Sequence, residues 1–200
     1  FNVNSQNQNV YLVGDSMMAS IQEELKTNLL KKKLNFIPMT NAGCDFIKRD
    51  ETISKTNICN NKIHELRKNK ILETTKGIII IHLNYKKKLS DSEKKIFFNE
   101  INNFLEIGHK IIFIYPIPHI EQNVSEKIYK IFKTSNNHLK NYLSDSEKYV
   151  SIDYLQFKKD SKHIFNFLSS ISHKNLYSIY PHNIFCNKEK CFGHNKNDIF

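Results

Sequence analysis

"GIIIIHL", residues 77–83, is an unbroken β-branched run that starts at a glycine and ends on a polar loop. Such a run has no polar face, so it predicts a central parallel strand buried on both sides. Downstream, Ser90-Asp91-Ser92-Glu93 matches a capping box and opens a helix to about Ile107, where Gly108 ends it. "KIIFIYPIP", 110–118, predicts the next buried strand, stopped by Pro116 and Pro118. Upstream, "VYLVGDSMMAS", 10–20, predicts a strand over 10–14 and a helix over 16–32, with Met17, Ile21, Leu25 and Leu29 on its apolar face. "LNFIPM", 34–39, reads as a strand running into the loop "TNAGCDF". Residues 60–72 read as a helix whose apolar positions include Ile63 and Leu66. Two more helices, about 125–143 and 155–172, precede a last strand in "LYSIYP", 176–181. Strands alternating with helices imply a parallel sheet covered on both faces.

The chain has 200 residues, 40% of them hydrophobic, and a mean hydropathy of −0.51, which fits one soluble domain with a full core. No apolar run approaches the roughly 18 residues of a membrane span. The polar start "FNVNSQNQN" lacks the charged-then-apolar order of a signal peptide, and residues 1–9 read as a flexible segment or linker before a domain over 10–200. A chain that begins at Phe1 reads as excised from something longer. The net charge of +10 invites a nucleic-acid reading. Against it, Lys, Asn and Ile dominate, all with AT-rich codons, and Arg occurs only at Arg49 and Arg67. Base and phosphate readers favour Arg for its planar fork. The charge is therefore read as a solvated basic surface with no nucleic-acid partner, and attraction to an anionic glycan or membrane surface stays open.

The four cysteines fall into two local pairs, Cys44 with Cys59 and Cys186 with Cys191. Their spacing favours two short-range disulfides and an oxidising compartment. The alternative is a zinc site, although neither pair has the usual C-x2-C spacing.

In a parallel sheet, ligands bind in the loops that follow the carboxyl ends of the strands. Three polar loops sit there: Asp15-Ser16, Asn41-Ala42-Gly43 and His82-Leu83-Asn84. A serine just past a strand and at a helix start is exposed, and a helix dipole favours negative charge beside it. A plain N-cap reading of Ser16 competes with that of a nucleophile. Acyl-transfer intermediates need donors for an oxyanion, such as backbone N–H groups and an Asn amide. Gly43 allows close backbone approach, and Asn84 can turn its amide into the same crevice.

Gly14-Asp15-Ser16 after the first strand, Gly43 after the second and Asn84 after the third resemble the SGNH (GDSL-type) hydrolase superfamily. The chain is most similar to the extracytoplasmic SGNH domain of acyltransferase-3-type O-acetyltransferases, through "NAGCDF", Cys59, "IIIIHLNY", "GHKIIFIYPIP" and "FCNKEKC". These features run through nearly the whole chain from Val10 onward. The resemblance implies a three-layer αβα sandwich, flavodoxin-like, with a mainly parallel sheet. It makes Ser16 the nucleophile, with the N–H of Ser16, the N–H of Gly43 and the side chain of Asn84 as the oxyanion hole. It also implies disulfides Cys44–Cys59 and Cys186–Cys191, with no metal and no organic cofactor.

A serine nucleophile needs a histidine base oriented by an acid. The resemblance places both in an Asp-x-x-His block after the last cysteine pair, so the domain is expected to be truncated before that block. Asp160-Ser161-Lys162-His163 has the spacing, but it precedes the last strand and reads as an exposed helical segment. His194 lies nearer in order and has no Asp three residues before it. His82 reads either as a pocket residue or as part of the sheet's core. None is assigned as the base.

The expected function is transfer of acetyl groups to a cell-envelope glycan through an acyl-serine intermediate. A membrane acyltransferase domain would lie upstream, and the location would be periplasmic. The alternatives are a freestanding extracytoplasmic carbohydrate esterase and a catalytically incomplete glycan-binding or assembly domain of the same fold.

Overall fold

The computed structural model describes residues 7–47, 59, 61–74, 76–86, 88–120 and 123–195. Most of the predicted N-terminal segment, residues 1–6, lies outside them. Seven strands occur among the described residues: β1 (Asn9–Gly14), β2 (Asn35–Thr40), β3 (Ile78–His82), β4 (Lys110–Ile114), β5 (Ser151–Asp153), β6 (Leu176–Ile179) and β7 (Lys190–Phe192). The chain divides into two compact units, Phe1–Tyr115 with His163–Ile179, and Pro116–Lys162 with Tyr180–Phe200.

The first unit holds a five-stranded sheet of order β2-β1-β3-β4-β6, with every neighbouring pair parallel. This is the α/β sandwich that the alternation predicts. The isoleucine run forms β3 at the centre, where Ile79, Ile80, Ile81 and His82 are all buried. Burial on both faces is why the run does not alternate, and each isoleucine so buried contributes about 1.5–3 kcal/mol. The helix α4 (Asp91–Ile107) carries the predicted capping box at Ser90 and Glu93, and Gly108 caps its end in a left-handed conformation. It lays Phe97, Ile101, Phe104 and Leu105 inward, with Phe97 5.9 Å from Phe113 of β4 and 5.4 Å from Phe167.

The predicted helix 16–32 is two helices, α1 (Ser16–Ser20) and α2 (Gln22–Lys31), which part at Ile21. The buried residue is Met18 rather than Met17, because Met18 packs on Gly14, where a Cβ would collide with it. Ile21 is 40% exposed and α2 buries nothing. Its few leucines lie among Glu23, Glu24, Lys26 and Lys31, too sparse to cover a core-facing stripe.

The helix α3 (Asn61–Leu72) also departs from expectation. It buries His64, Arg67 and Ile71, whereas Leu66 is 60% exposed.

In the second unit the expected helix 125–143 breaks into α5 (Val124–Thr134) and α6 (Asn136–Leu143). Ser135 interrupts it, since its extended backbone lets its hydroxyl accept the N–H of His138 and cap α6. The helix α7 (Tyr154–Ser169) follows β5, its residues from His163 onward belonging to the first unit, and a short α8 (His182–Phe185) precedes β7. Strands β5 and β7 pair antiparallel, a second small sheet that the sequence reading did not include.

Both cysteine pairs form disulfides, Cys44–Cys59 and Cys186–Cys191, which removes the zinc alternative for them. No helix among the described residues is long and apolar enough to cross a membrane.

Candidate active site

Strand order reverses between β1 and β3, since the chain goes from β1 out to β2 and then returns past β1. That reversal is where parallel α/β sheets bind ligands. Register brings the three polar loops out together. Gly14 pairs with Thr40, and the Val13–Ile81 pair sets His82 beside Gly14. The segments leading to Ser16, Gly43 and Asn84 thus leave three adjacent strands at one level.

Asp15, not Ser16, caps the first helix: its carboxylate accepts the N–H of Met17 at 3.0 Å. Asp15 is 5% exposed, while Ser16 is exposed on the first residue of α1. The N-cap reading of Ser16 is therefore replaced. A five-residue helix carries little dipole, so any anion stabilisation here comes from local N–H groups rather than from a macrodipole.

The second loop is a tight turn in which Cys44 N–H donates to Asn41 O at 3.0 Å. Gly43 occupies its third position with φ +70°, the geometry of a type II turn. A Cβ at Gly43 would meet nothing within 4 Å. The glycine meets the demand of the left-handed conformation, and no protein atom crowds the space where a side chain would stand. Asn41 N–H also donates to Gly14 O at 3.0 Å, joining this loop to the first.

In the third loop the Asn84 Oδ1 accepts the N–H of Lys86 at 3.0 Å. That turn orients the side-chain amide of Asn84.

Beneath these loops lie four buried ionisable side chains: Asp15, Asp45, Arg67 and His82. Arg67 donates to the carbonyls of Gly14, Cys44 and Asp45. Burial draws its guanidinium below the ordinary value, and the Asp45 carboxylate draws it back up. His82 is 1% exposed, with neither ring nitrogen hydrogen-bonded. Burial pushes its imidazole below the ordinary 6.5, against the charges of Asp15 and Asp45. Sequence reasoning placed His82 near the site but missed Arg67. The signal was present, because a chain rich in Lys keeps Arg at only two positions.

Two further histidines were weighed in the sequence, His163 and His194. Asp160 lies exposed on α7 and accepts a hydrogen bond from Gln156 at 2.7 Å. His163, however, is half-buried with its Nε2 shielded and not hydrogen-bonded, and Ser161 is buried, which corrects the expectation of an exposed segment. His194 is buried among Tyr142 and Tyr149, and its Nε2 pairs with the Tyr142 hydroxyl at 2.7 Å. As for metals, Cys44, Cys59 and His64 form one group of ligand-type side chains among the described residues, but the two sulfurs are bonded to each other.

A family model described as the SGNH domain fused to AT3 domains matches residues 2–200. Among solved structures, the periplasmic domain of the lipopolysaccharide acetyltransferase of Salmonella ser. Paratyphi A is similar in fold. The TM-score is 0.60 and the identity 19%, over 98% of this chain and 74% of that one. Comparison with curated protein sequences gave no match. With Ser16, Gly43 and Asn84 following successive strands of a parallel sheet, and the family model spanning nearly every residue, the chain belongs to the SGNH domain family found fused to AT3 domains.

Proposed function

We propose that this domain transfers acetyl groups to a glycan of the cell envelope, through an ester on Ser16, on the outer side of the inner membrane. The observation that carries the reading is the register that brings Ser16, the Gly43 turn and Asn84 out of adjacent strands at one level. Ser16 Oγ attacks the acetyl carbon of a donor, the bond to the donor's leaving group breaks, the serine proton goes to that leaving group, and the serine ester forms. The N–H groups of Ser16 and Gly43 and the Nδ2 of Asn84 hold the carbonyl oxygen as it becomes negative. A sugar hydroxyl then attacks the ester carbon, and its proton returns to the serine oxygen. An AT3 membrane domain, the fusion partner of this family, supplies the donor. The oxidising compartment that two disulfides require supports the location. The similar Salmonella domain is that of a lipopolysaccharide acetyltransferase, which supports the choice of a glycan acceptor.

The test uses the full-length protein with a chromogenic acetyl ester, then with envelope glycan and mass analysis for added acetyl. Ser16→Ala should abolish turnover and transfer, and a trapped acetyl should map to Ser16 in the wild type. Equal turnover by Ser16→Ala removes Ser16 from the reaction.

A further inference from the structure

Arg67 lies on α3 with 5% of its surface exposed, and its guanidinium reaches two separate loops. Nη2 donates to Gly14 O at 3.3 Å and to Cys44 O at 3.3 Å. Nη1 donates to Asp45 O at 2.9 Å and to Cys44 O at 3.3 Å. Gly14 leads directly into Asp15-Ser16, and Cys44 directly follows Gly43. One rigid plane is thus bonded to both backbone segments that carry Ser16 and Gly43. Residues 44–47 are buried outside any helix or strand, and the carbonyls of Cys44 and Asp45 find their donor in this side chain rather than in a ladder.

We propose that Arg67 is a positioning residue for Ser16 and Gly43, its fork holding the two loops so that their N–H groups converge on one oxygen. The inference rests on the acyl-serine reading above. The planar fork presents donors from two nitrogens along separate directions. A lysine ammonium has one nitrogen and would bond one loop well at the expense of the other. That explains an arginine here in a chain that elsewhere fills basic positions almost wholly with lysine.

The test compares full-length wild type, Arg67→Lys and Arg67→Met. The readouts are acetyl-ester kinetics and the rate of Ser16 labelling by a fluorophosphonate, each normalised to protein with both disulfides intact by mass. Arg67→Lys should lose about 10- to 100-fold in kcat, the scale of an ångström-level misplacement. KM should stay within about threefold, and the labelling rate should fall in step with kcat. The pH profile should keep its shape, because the variant leaves the proton-transfer groups in place. Arg67→Met should fall further in both readouts. Wild-type kcat in Arg67→Lys overturns the proposal, and so does failure of both variants to accumulate folded protein, which would make Arg67 a folding residue alone. An active Ser16→Ala would instead overturn the acyl-serine reading, so the two failures are told apart.

Discussion

Replacing Gly43 by alanine should separate the shape of the proposed oxyanion loop from the stability of the domain. Gly43 sits at φ +70° with open space where a Cβ would go, so alanine meets no clash and only conformational strain. An L-residue held left-handed costs about 1–2 kcal/mol. In a chain of this size each kcal/mol lowers Tm by about 2–4 °C. The turn has an escape. Rotating the Ala42–Gly43 peptide by about 180° converts type II to type I geometry and removes the left-handed residue. The same rotation turns the Gly43 N–H to the opposite side, and losing one oxyanion donor costs about 100- to 1,000-fold in kcat. Gly43→Ala should therefore melt within about 4 °C of wild type yet lose about 100-fold in kcat. Gly43→Asn, which tolerates the left-handed region, should stay within about tenfold of wild-type kcat. Differential scanning fluorimetry and acetyl-ester kinetics on the full-length protein give both readouts. Wild-type kcat in Gly43→Ala, or equal losses in the Ala and Asn variants, would refute the peptide-flip reasoning.

Ser16→Ala should leave stability within about 0.5 kcal/mol, as an exposed residue outside the cap, while Asp15→Ala should cost about 1 kcal/mol through loss of the cap; equal Tm values for the two would contradict this division. Removing the Cys44–Cys59 bridge, with its separation of 15 residues, should cost about 3 kcal/mol. Removing Cys186–Cys191, separated by 5, should cost about 2 kcal/mol, and urea midpoints of the two double-serine variants check the order. His82 should make the fold acid-sensitive. Its folded-state value is depressed by burial, so its contribution is complete above the unfolded value near 6.5 and is lost as pH falls through the folded value. Stability should drop from pH 7 to 5 by at most about 1.4 kcal/mol per pH unit for this group, and His82→Gln should flatten the curve. An unchanged slope in that variant would rule His82 out; His109, also pushed down by burial, accounts for part of what remains.

Where burial is symmetric, the sequence is easy to read: the isoleucines of β3, the capping box at Ser90 and the glycine stop at Gly108 each follow from local chemistry. The order of Ser16, Gly43 and Asn84 behind their strands was legible for the same reason, because strand ends are marked by turn residues. Legibility failed where a polar side chain is buried by what it bonds. Hydrophobic pattern on α3 favours Leu66 as an inward residue, but the carbonyls of Gly14, Cys44 and Asp45 draw Arg67 inside instead. The break at Ile21 was hidden because the apolar spacing of 16–32 continues across it, and only the packing of Met18 on Gly14 sets the direction of α1. The β5–β7 pair was missed because three-residue strands carry too few positions to show a period.

The tripeptide Gly14-Asp15-Ser16 is three unrelated demands written side by side. The first position is a clearance, since Met18 leaves no volume for a Cβ. The second is a side-chain acceptor for the helix backbone, its carboxylate bonded to the N–H of Met17. The third alone faces solvent and is open to chemistry. Each letter can therefore change under its own rule: a smaller residue at 18 would free position 14, and an asparagine could replace the acid as a cap. A relative that keeps only the serine has kept the proposed nucleophile, whereas one that keeps only the first two letters has kept the carpentry.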